Sequence, residues 1–354
     1  MNDVDFVQEL NFSYYQKRRR LIGCQSKCLI FKYLLILLMI ACLVVISLFA
    51  TKNYSRIVSA LKVARTFVYF TCEPYTISEN RSFFERDYPQ ANLPQEISNS
   101  SYQDSLRQLR SFRLVVLSCA RNIENHIETY RNYIEPIIDL FHPSSSIHIL
   151  ESDSTDQTIV KLRQWSRVHV YFYGRLSRSI SDRTERLAYC RNILLDKAHT
   201  LSADYIFMID FDIFAMPVSS FLTNFKYHHN DWSVMTATTK GHYYDIWALR
   251  TLSDSVMNYD IWHRIWNLTK SPEHYCSESL VNQIIGVHTK QIPAERGLIE
   301  VRSGFGGAAL YKLNSTRGCR YNGTGPTCEH VPFHSCIREK HQGRIFINPA
   351  FRII

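Results

Sequence analysis

Residues 205–214 read YIFMIDFDIF, and this stretch decides the fold class. A run suited to a buried strand, Tyr205–Ile209, leads directly into two acids, Asp210 and Asp212. Because an unpaired carboxylate in an apolar environment is costly, the strand must end where these side chains leave the core. Residues i and i+2 of an extended chain point to the same side, so both carboxylates would converge while Phe211 faces the core.

Short apolar runs alternate with helical patterns on either side of this strand. Further strands are predicted over residues 113–119, 146–150, 168–172 and 232–237, and helices over 123–140, 155–165 and 183–199. This alternation predicts an α/β fold with a mostly parallel sheet and helices on both faces. Ligands of such sheets bind beyond the carboxyl ends of the strands, at a topological switch point.

Acids and hydroxyls follow the second predicted strand, in residues 151–158 (ESDSTDQT). Ser154 or Thr155 could cap the next helix, and Asp156 would suit its positive end. Capping does not explain Glu151, which closes an apolar strand. Carboxylates at a strand end can accept hydrogen bonds from ribose hydroxyls and from a base edge, so a nucleoside is the ligand that we expect here.

The pair Asp210 and Asp212 raises a question of charge. Two carboxylates a few ångströms apart in a dry site need a counter-charge. A divalent cation bound to diphosphate oxygens would supply it, and hard oxygen ligands suit Mn²⁺ or Mg²⁺. The alternative is a solvated turn in which the acids only cap neighbouring backbone groups.

Seven motifs occur in order along the chain. They are ESDSTDQT (151–158), ERLAYCRN (185–192), MIDFDIF (208–214), YYDIWALR (243–250), RSGFGGAALY (302–311), CEHVPFH (328–334) and GRIFINP (343–349). Together they resemble metal-dependent glycosyltransferases with the GT-A (Rossmann-like) fold, and more narrowly the capsule-associated α-mannosyltransferase family of fungi. The resemblance implies transfer of a hexose, mannose favoured, from a nucleoside-diphosphate sugar, GDP-mannose favoured, to a glycan or glycoconjugate acceptor.

The resemblance also implies roles for individual residues. The nucleotide-sugar would contact Glu151, Asp153, Asp156, Arg186, Arg191, Asn192, Asp210 and Gly306. The metal would be held by Asp210 and Asp212 with a histidine, His334 first and His330 second, although Pro332 makes a regular helix doubtful there. The candidates for the catalytic acid or base are Asp245, Glu278 and Glu329.

Two of these assignments have plain structural alternatives. Arg186 and Arg191 could lie on a solvated helix face, or one of them could pair with a diphosphate or with Glu151. The aromatic stretch 243–250 suits a sugar, but it could equally be core aromatics beside an ion pair between Asp245 and Arg250.

The N-terminal region predicts a membrane anchor. Residues 33–50 are 18 residues without a charge, and residues 1–32 hold six Lys/Arg against three Asp/Glu. Roughly 20 apolar residues cross a bilayer, and the basic flank places the N-terminus in the cytosol. We therefore expect a cytosolic tail (1–28), a single transmembrane signal-anchor helix (29–50), a lumenal stem (51–110) and a catalytic domain (111–354), as in a type II protein of the Golgi or endoplasmic reticulum membrane. A cleaved signal peptide is the alternative.

A lumenal domain predicts glycosylation and disulfides. Sequons lie at Asn80, Asn99, Asn267, Asn314 and Asn322, apart from one at Asn53 that is too near the membrane. Seven cysteines follow the apolar segment, an odd number, and Cys319 with Cys328 brackets a turn-rich stretch that suggests a local disulfide. A homodimer through Cys72 is a further hypothesis.

Other classes of function fit less well. The net charge of +9 is spread along the chain, and a lumenal domain would not meet nucleic acid. The main alternative to an enzyme is a catalytically inactive, membrane-anchored carbohydrate-binding protein on a glycosyltransferase scaffold. Such a protein would not need both Asp210 and Asp212, which this chain retains.

Overall fold

A computed structural model describes residues 32–41, 79–86, 90, 92–269, 277–325 and 327–354, without the side chains of 269 and 277–279. The chain divides into a large compact unit that contains Tyr75–Ile354 and a smaller one that contains Asn2–Pro74. In the smaller unit, residues 32–41 form a helix. No helix within the described ranges is both long enough and apolar enough to span a bilayer. The rest of the predicted anchor, the tail and residues 51–78 lie outside those ranges.

The large unit is a mixed α/β fold built on one nine-stranded sheet. Its strands are β1 (Leu114–Ala120), β2 (Ser146–Glu151), β3 (Val168–Phe172), β4 (Tyr205–Ile209), β5 (Val234–Thr239), β6 (Arg250–Thr251), β7 (Ile299–Ser303), β8 (Ala308–Lys312) and β9 (Ile345–Ile353). Its helices are α1 (Asn99–Gln108), α2 (Ile127–Ile138), α3 (Thr158–Gln164), α4 (Arg183–Thr200), α5 (Val218–Leu222), α6 (Ile261–Thr269), α7 (Ser277–Ile284) and α8 (His330–His341).

The strand order is β3-β2-β1-β4-β8-β5-β9-β7-β6. The first four strands in this order are parallel, as the sequence predicts. In the other half β5 and β9 are parallel to each other, whereas β8 runs antiparallel between β4 and β5, and β7 runs antiparallel to β6 and β9. The prediction of a mostly parallel sheet is therefore confirmed except for the two reversed strands, β8 and β7. A short apolar run has the same pattern in either direction, so composition could not distinguish the two arrangements.

Apolar cores cover both faces of the sheet, which confirms the predicted layers. Alternate residues of β4 divide between them, since Met208 belongs to the core under α4 whereas Phe207 belongs to the core under α2. The chain leaves β1 for β2 and β3 on one side and then crosses through α4 to β4 on the other. A topological switch point therefore lies between β1 and β4, directly beside Asp210.

Helix α8 corrects an expectation about Pro332. That proline lies in the first turn of a helix that continues from His330 to His341. The first N–H groups of a helix have no partner within the helix, so a proline there removes no hydrogen bond. The doubt about a regular helix was therefore wrong, and Glu329 immediately precedes this helix as its N-cap residue.

Part of the predicted stem packs with the sheet-bearing unit. Phe83 is fully buried, and its backbone N–H donates to Nδ1 of His288 at 3.0 Å. The Phe83 ring lies 5.5 Å from that of Tyr243, the first residue of the aromatic stretch. Phe83 therefore packs against the start of that stretch.

The predicted disulfide between Cys319 and Cys328 was wrong. Cys319 is bonded to Cys336 of α8, and a second disulfide joins Cys119 to Cys190. Cys328 is a buried free thiol whose pKa burial raises to about 12. The turn-rich loop brings Cys319 against the second turn of α8, which spacing in the sequence did not reveal. Cys72 and Cys276 lie outside the described residues.

The five predicted glycosylation asparagines are all exposed. Asn99 begins α1, Asn267 lies on α6, and Asn80, Asn314 and Asn322 lie in connecting segments. Exposure satisfies the steric requirement for a bulky surface glycan at each position. Their use stays a prediction.

Candidate active site at the switch point

The acidic motif lies in a turn rather than in a continued strand. Strand β4 ends at Ile209, and Phe211 and Asp212 form a turn. Phe211 is buried and stacks on Tyr130 of α2 with ring centroids 4.0 Å apart, as its predicted role of anchor requires. The Tyr133 hydroxyl donates to the Ile213 carbonyl at 3.1 Å. Helix α2 therefore holds the turn at Phe211 and at Ile213.

Two further contacts fix the start of this turn. The Ser118 hydroxyl of β1 donates to the Ile209 carbonyl, and the Asp210 backbone N–H donates to the Gly307 carbonyl at 2.9 Å. Burial raises the pKa of Tyr133 well above its usual value, and the charges of both Asp210 and Asp212 add to this rise. The convergence of the two carboxylates on one point stays a prediction.

Arg191 supplies positive charge to Asp210. It lies on α4 and is only 3% exposed, and its Nη2 lies 2.8 Å from Oδ1 of Asp210. Its Nη1 pairs with Oε1 of Glu329. The guanidinium also lies over the rings of Phe305 and Tyr321, at 5.3 and 5.9 Å. We call these five residues the arginine node.

The arginine node answers part of the question that the sequence raised. A planar guanidinium can serve two carboxylates at once and stack on aromatic faces, which suits a buried ion pair. Glu329, a candidate catalytic group, is 4% exposed and is held here. Sequence reasoning named Arg191 and both acids but missed Phe305 and Tyr321, because only the fold brings these rings to the arginine.

The two candidate histidines of α8 have different environments. Both ring nitrogens of His334 are engaged, Nδ1 with the Ser303 hydroxyl at 3.0 Å and Nε2 with the Tyr311 hydroxyl at 2.9 Å. His330 is also buried, and within the described residues neither of its ring nitrogens has a hydrogen-bond partner. Its ring stacks on Phe305 at 3.9 Å, and its Nε2 lies 3.9 Å from Oε1 of Glu329. His330 is therefore the less constrained of the two, although neither histidine joins Asp210 and Asp212 in a group close enough to hold a metal ion in the described part of this structure.

His334 makes a prediction about acid stability. Burial, with a smaller effect of Arg191, lowers its pKa to about 3, against about 6.5 in an unfolded chain. Because the folded protein keeps this histidine neutral, its contribution to the free energy of unfolding is complete above pH 6.5. The contribution is lost as the pH falls toward 3, at about 1.4 kcal/mol per pH unit. We expect the free energy of unfolding of His334→Gln, measured in urea, to fall less steeply between pH 6.5 and 4.5 than that of the wild type. The difference in slope should correspond to about one proton. Equal slopes would contradict a neutral buried His334.

The acidic loop after β2 is joined to the loop after β1. Asp156 accepts from the backbone N–H groups of Glu124 and Thr158, at 3.2 and 3.0 Å, so both of its oxygens hold backbone. The Ser154 hydroxyl accepts from the Asn122 N–H at 2.9 Å. The predicted capping by Ser154 or Thr155 was wrong, because α3 begins later, at Thr158, and Asp156 bonds its first N–H.

Glu151 and Asp153 lie at the mouth of this loop. Glu151 is 1% exposed, and its Oε1 accepts from the Ser154 N–H at 3.0 Å. Its Oε2 is buried without a hydrogen-bond partner among the described residues. Asp153 adopts a left-handed conformation (φ +63°), and its Oδ1 accepts from the backbone and hydroxyl of Ser177. A buried acceptor oxygen is costly unless a donor reaches it, and Oδ2 of Asp153 is buried without a partner in the same way, so Glu151 and Asp153 are both candidates for contacts with a nucleoside.

The remaining predicted residues have specific partners. Arg186 donates to the carbonyls of Ile180 and Ser181 and does not pair with Glu151. Asn192 bonds both backbone groups of Tyr321, each at 2.9 Å, and so braces the arginine node. Glu278 lies in α7, and its side chain is outside the described part of the structure.

Asp245 lies in the aromatic stretch and contacts the glycine loop. Its Oδ2 accepts from the Gly306 N–H at 2.8 Å. The alternative ion pair with Arg250 is not formed, since the Arg250 guanidinium pairs with Asp260 at 3.2 Å. Tyr243 is buried core. The loop 304–307 therefore joins Asp245 on one side to the Asp210 backbone on the other.

Gly306 makes a prediction about that loop. Its φ is +66°, and a Cβ atom there would overlap the Ala237 carbonyl oxygen. Gly297 is a matched control, since its φ is +74° but nothing lies within 4 Å. We expect Gly297→Ala to lower the free energy of unfolding by about 1–3 kcal/mol, because its φ of +74° and ψ of 179° lie in a region that is essentially restricted to glycine. Gly306→Ala should cost about 1–3 kcal/mol more because of the overlap. Equal losses in urea denaturation would contradict the close approach.

The carboxylates fit a cation that arrives with a diphosphate. Among the described residues, no group of three or more His, Cys, Asp and Glu side chains is close enough to hold a metal ion. Mg²⁺ in particular is usually bound by one or two carboxylates plus substrate phosphates. Asp210 and Asp212 provide that number of hard oxygen donors at the switch point, so the donor set fits a shared site better than an all-protein one.

Comparison with known proteins gives solved structures alone. No family model and no curated protein matches the chain. The solved structures include mannosyltransferase PcManGT from Pyrobaculum calidifontis in complex with GDP-Man and Mn²⁺ (12% identity, 71% of this chain and 62% of that one, TM-score 0.41). They also include S. aureus TarS 1-349 in complex with UDP-GlcNAc (12% identity, 68% of this chain and 57% of that one, TM-score 0.38). A third is glucosyl-3-phosphoglycerate synthase from Mycobacterium tuberculosis in complex with Mn²⁺, UDP and phosphoglyceric acid (14% identity, 64% of this chain and 64% of that one, TM-score 0.34). The chain spans less than two thirds of the length of each, so its function rests on its own residues.

Proposed function

We propose that this protein is a metal-dependent glycosyltransferase of the GT-A type that moves a hexose, mannose favoured, from a nucleoside-diphosphate sugar to a glycan or glycoconjugate acceptor. The observation that carries the proposal is the position of Asp210 and Asp212. They follow β4 at the switch point of the sheet, where a ligand of an α/β fold binds. Glu151 lies at the end of β2, one strand beyond β1, where it would meet the nucleoside.

The donor would be oriented by groups on two strand ends. Oε2 of Glu151 would accept from an N–H of the base, a contact that guanine and uracil both offer, so the preference for GDP-mannose comes from the resemblance of the motifs. Asp210 and Asp212 would hold Mn²⁺ or Mg²⁺, which would offset the charge that develops on the diphosphate leaving group. The contacts that hold the turn matter here, because a site that is already positioned loses no energy to reorganisation during the reaction.

The proton of the acceptor hydroxyl is the second requirement of the reaction. Asp245 is held against the glycine loop, and Glu329 is paired with Arg191. A general base must reach the hydroxyl within about 2.6–3.2 Å. Of these two, Asp245 is the more exposed, so we assign it the contact with the acceptor and assign Glu329 the positioning of Arg191.

The proposed location is the lumen of the Golgi or endoplasmic reticulum, behind a type II anchor. Two disulfides support an oxidising compartment, and five exposed sequons support access to the glycosylation machinery. The membrane anchor itself, the stem and dimerisation through Cys72 remain proposals from the sequence.

Titration of nucleotide-sugars tests the proposed function. The full-length chain in detergent should bind one of GDP-mannose, UDP-glucose, UDP-GlcNAc or CMP-sialic acid in the presence of Mn²⁺ and release sugar from it. Transfer should stop in EDTA and return when Mn²⁺ is added. Undiminished transfer in EDTA would contradict the role of the metal.

The same experiment distinguishes the binding-protein alternative. The pairing of Asp210 with Arg191 favours that alternative, because a charge already compensated does not require a cation. Binding of a glycan array without binding of any nucleotide-sugar would identify a carbohydrate-binding protein on this scaffold. Binding of a nucleotide-sugar that requires Mn²⁺ would exclude it.

A further inference from the structure

We propose that the Cys119–Cys190 disulfide positions Arg191 for the reaction, an inference that rests on the proposed function for its catalytic consequence. Cys119 is the penultimate residue of β1, and Cys190 lies on α4 directly before Arg191, with the two Cα atoms 6.2 Å apart. Strand β1 is the neighbour of β4, which ends immediately before Asp210. The disulfide therefore ties the helix that carries the arginine to the strand beside its carboxylate partner.

Three consecutive residues of α4 fix three separate parts of the site. Cys190 is bonded to β1, Arg191 pairs with Asp210 and Glu329, and Asn192 holds the backbone of Tyr321. Successive helical residues are turned by about 100° about the axis, because a turn holds 3.6 residues. Each residue thus resists rotation of the helix in a different direction, and the covalent contact is the stiffest of the three.

The arginine has little freedom to compensate for a shifted helix. Its guanidinium must meet Asp210 at the end of β4 and Glu329 at the start of α8 at the same time, with Phe305 and Tyr321 against its faces. A small rotation or slide of α4 would break one of the two ion pairs. A misplacement of about 1 Å in a catalytic arrangement can lower a rate about 100-fold.

The test compares two disulfide-free variants in the full-length chain. Cys119→Ser/Cys190→Ser should lower kcat for sugar transfer about 10–100-fold. The matched control is Cys319→Ser/Cys336→Ser, which removes the other disulfide and should lower kcat less than about threefold, since Asn192 still holds Tyr321. If the serine pair does not fold, Cys119→Ala/Cys190→Ala replaces it and keeps the site apolar.

A double-mutant cycle separates positioning from general weakening of the fold. Arg191→Lys retains a charge, and removal of Cys119–Cys190 in that background should lower kcat less than about threefold further, because the positioned group is already altered. The proposal would be overturned if the fold-loss of kcat in the combined variant equalled the product of the two separate losses. It would also be overturned if the protein without the Cys119–Cys190 disulfide kept the wild-type kcat.

The cycle can also be read without any activity. The loss of free energy of unfolding caused by Arg191→Lys, with the m-value fitted for each variant, should be smaller when the Cys119–Cys190 disulfide is absent, because the ion pairs are then already loosened. An unchanged loss would overturn the proposal even if transfer were never observed. If no nucleotide-sugar is used by any variant but the free energies of unfolding couple, the proposed function fails while the positioning of Arg191 stands.

Discussion

Asp212→Asn is expected to lower the rate of sugar transfer about 100–1,000-fold while leaving the fold intact. The substitution keeps the size of the side chain but removes its negative charge, and with it a ligand for the cation that would offset the diphosphate charge. The turn should survive, because Phe211 stacks on Tyr130 and Tyr133 bonds the Ile213 carbonyl without help from Asp212. Steady-state rates with GDP-mannose and Mn²⁺, together with circular dichroism, would measure both effects.

The control for this variant is Asp254→Asn. Asp254 forms an ion pair with Arg302 at 2.7 Å, but its side chain is 91% exposed, so its loss should change neither rate nor fold. If the rate of Asp212→Asn fell less than about fivefold, the case for a catalytic cation would be removed. Such a cation should contribute several kcal/mol of transition-state stabilisation, and its loss should slow the reaction far more than that. A fall in Mn²⁺ affinity in the same variant would locate the ion on this carboxylate.

Asp210→Asn differs from Asp212→Asn in a useful way. Asp210 is a partner of Arg191, so its neutralisation should lower both the rate and the free energy of unfolding. A hydrogen bond to a charged group contributes about 1.5–3 kcal/mol. Asp210→Asn should therefore lower the free energy of unfolding more than Asp212→Asn does.

Local patterns predicted the elements of the first half of the sheet well. The bounds of β3 and β4 coincide with those predicted, and α4 begins at the predicted Arg183. These segments have clear apolar periodicity, and period 2 or 3.6 is a property of neighbouring residues alone. The strand end at Ile209 followed from the cost of burying a carboxylate, again a local argument.

Contacts between residues far apart in the sequence could not be predicted from such local patterns. Arg191 and Glu329 are separated by 138 residues, and Cys119 and Cys190 by 71. The sequence showed that Asp210 needed a counter-charge but could not distinguish a metal from an arginine, since both satisfy the same electrostatics. Phe305 lay in the motif RSGFGGAALY and Tyr321 in no motif, and neither had a predicted contact with Arg191, because an aromatic residue in a loop is equally consistent with core, surface or site.

Arg191→Met is expected to lower the free energy of unfolding by about 3–5 kcal/mol, since it leaves buried carboxylates without their cation. Glu329 is affected most, because its side chain is only 5% exposed, against 17% for Asp210. Methionine fills much of the same volume, so the loss reports charge more than packing. Urea denaturation at pH 7 would measure it, with Arg167→Met as the control. Arg167 pairs with Asp139 at 2.7 Å but is 41% exposed, so about 1 kcal/mol or less is expected there.

The decisive comparison is the variant in which the three charges of the arginine node are removed together. If the cost of Arg191→Met comes from uncompensated carboxylates, adding Asp210→Asn and Glu329→Gln should restore most of the lost stability, because buried ion pairs replaced by uncharged groups are often nearly neutral. Arg191→Lys should recover only part of it, since one ammonium cannot form the fork that reaches two carboxylates. A triple variant less stable than Arg191→Met would mean that the node is held by packing against Phe305 and Tyr321, and that the counter-charge for Asp210 lies elsewhere.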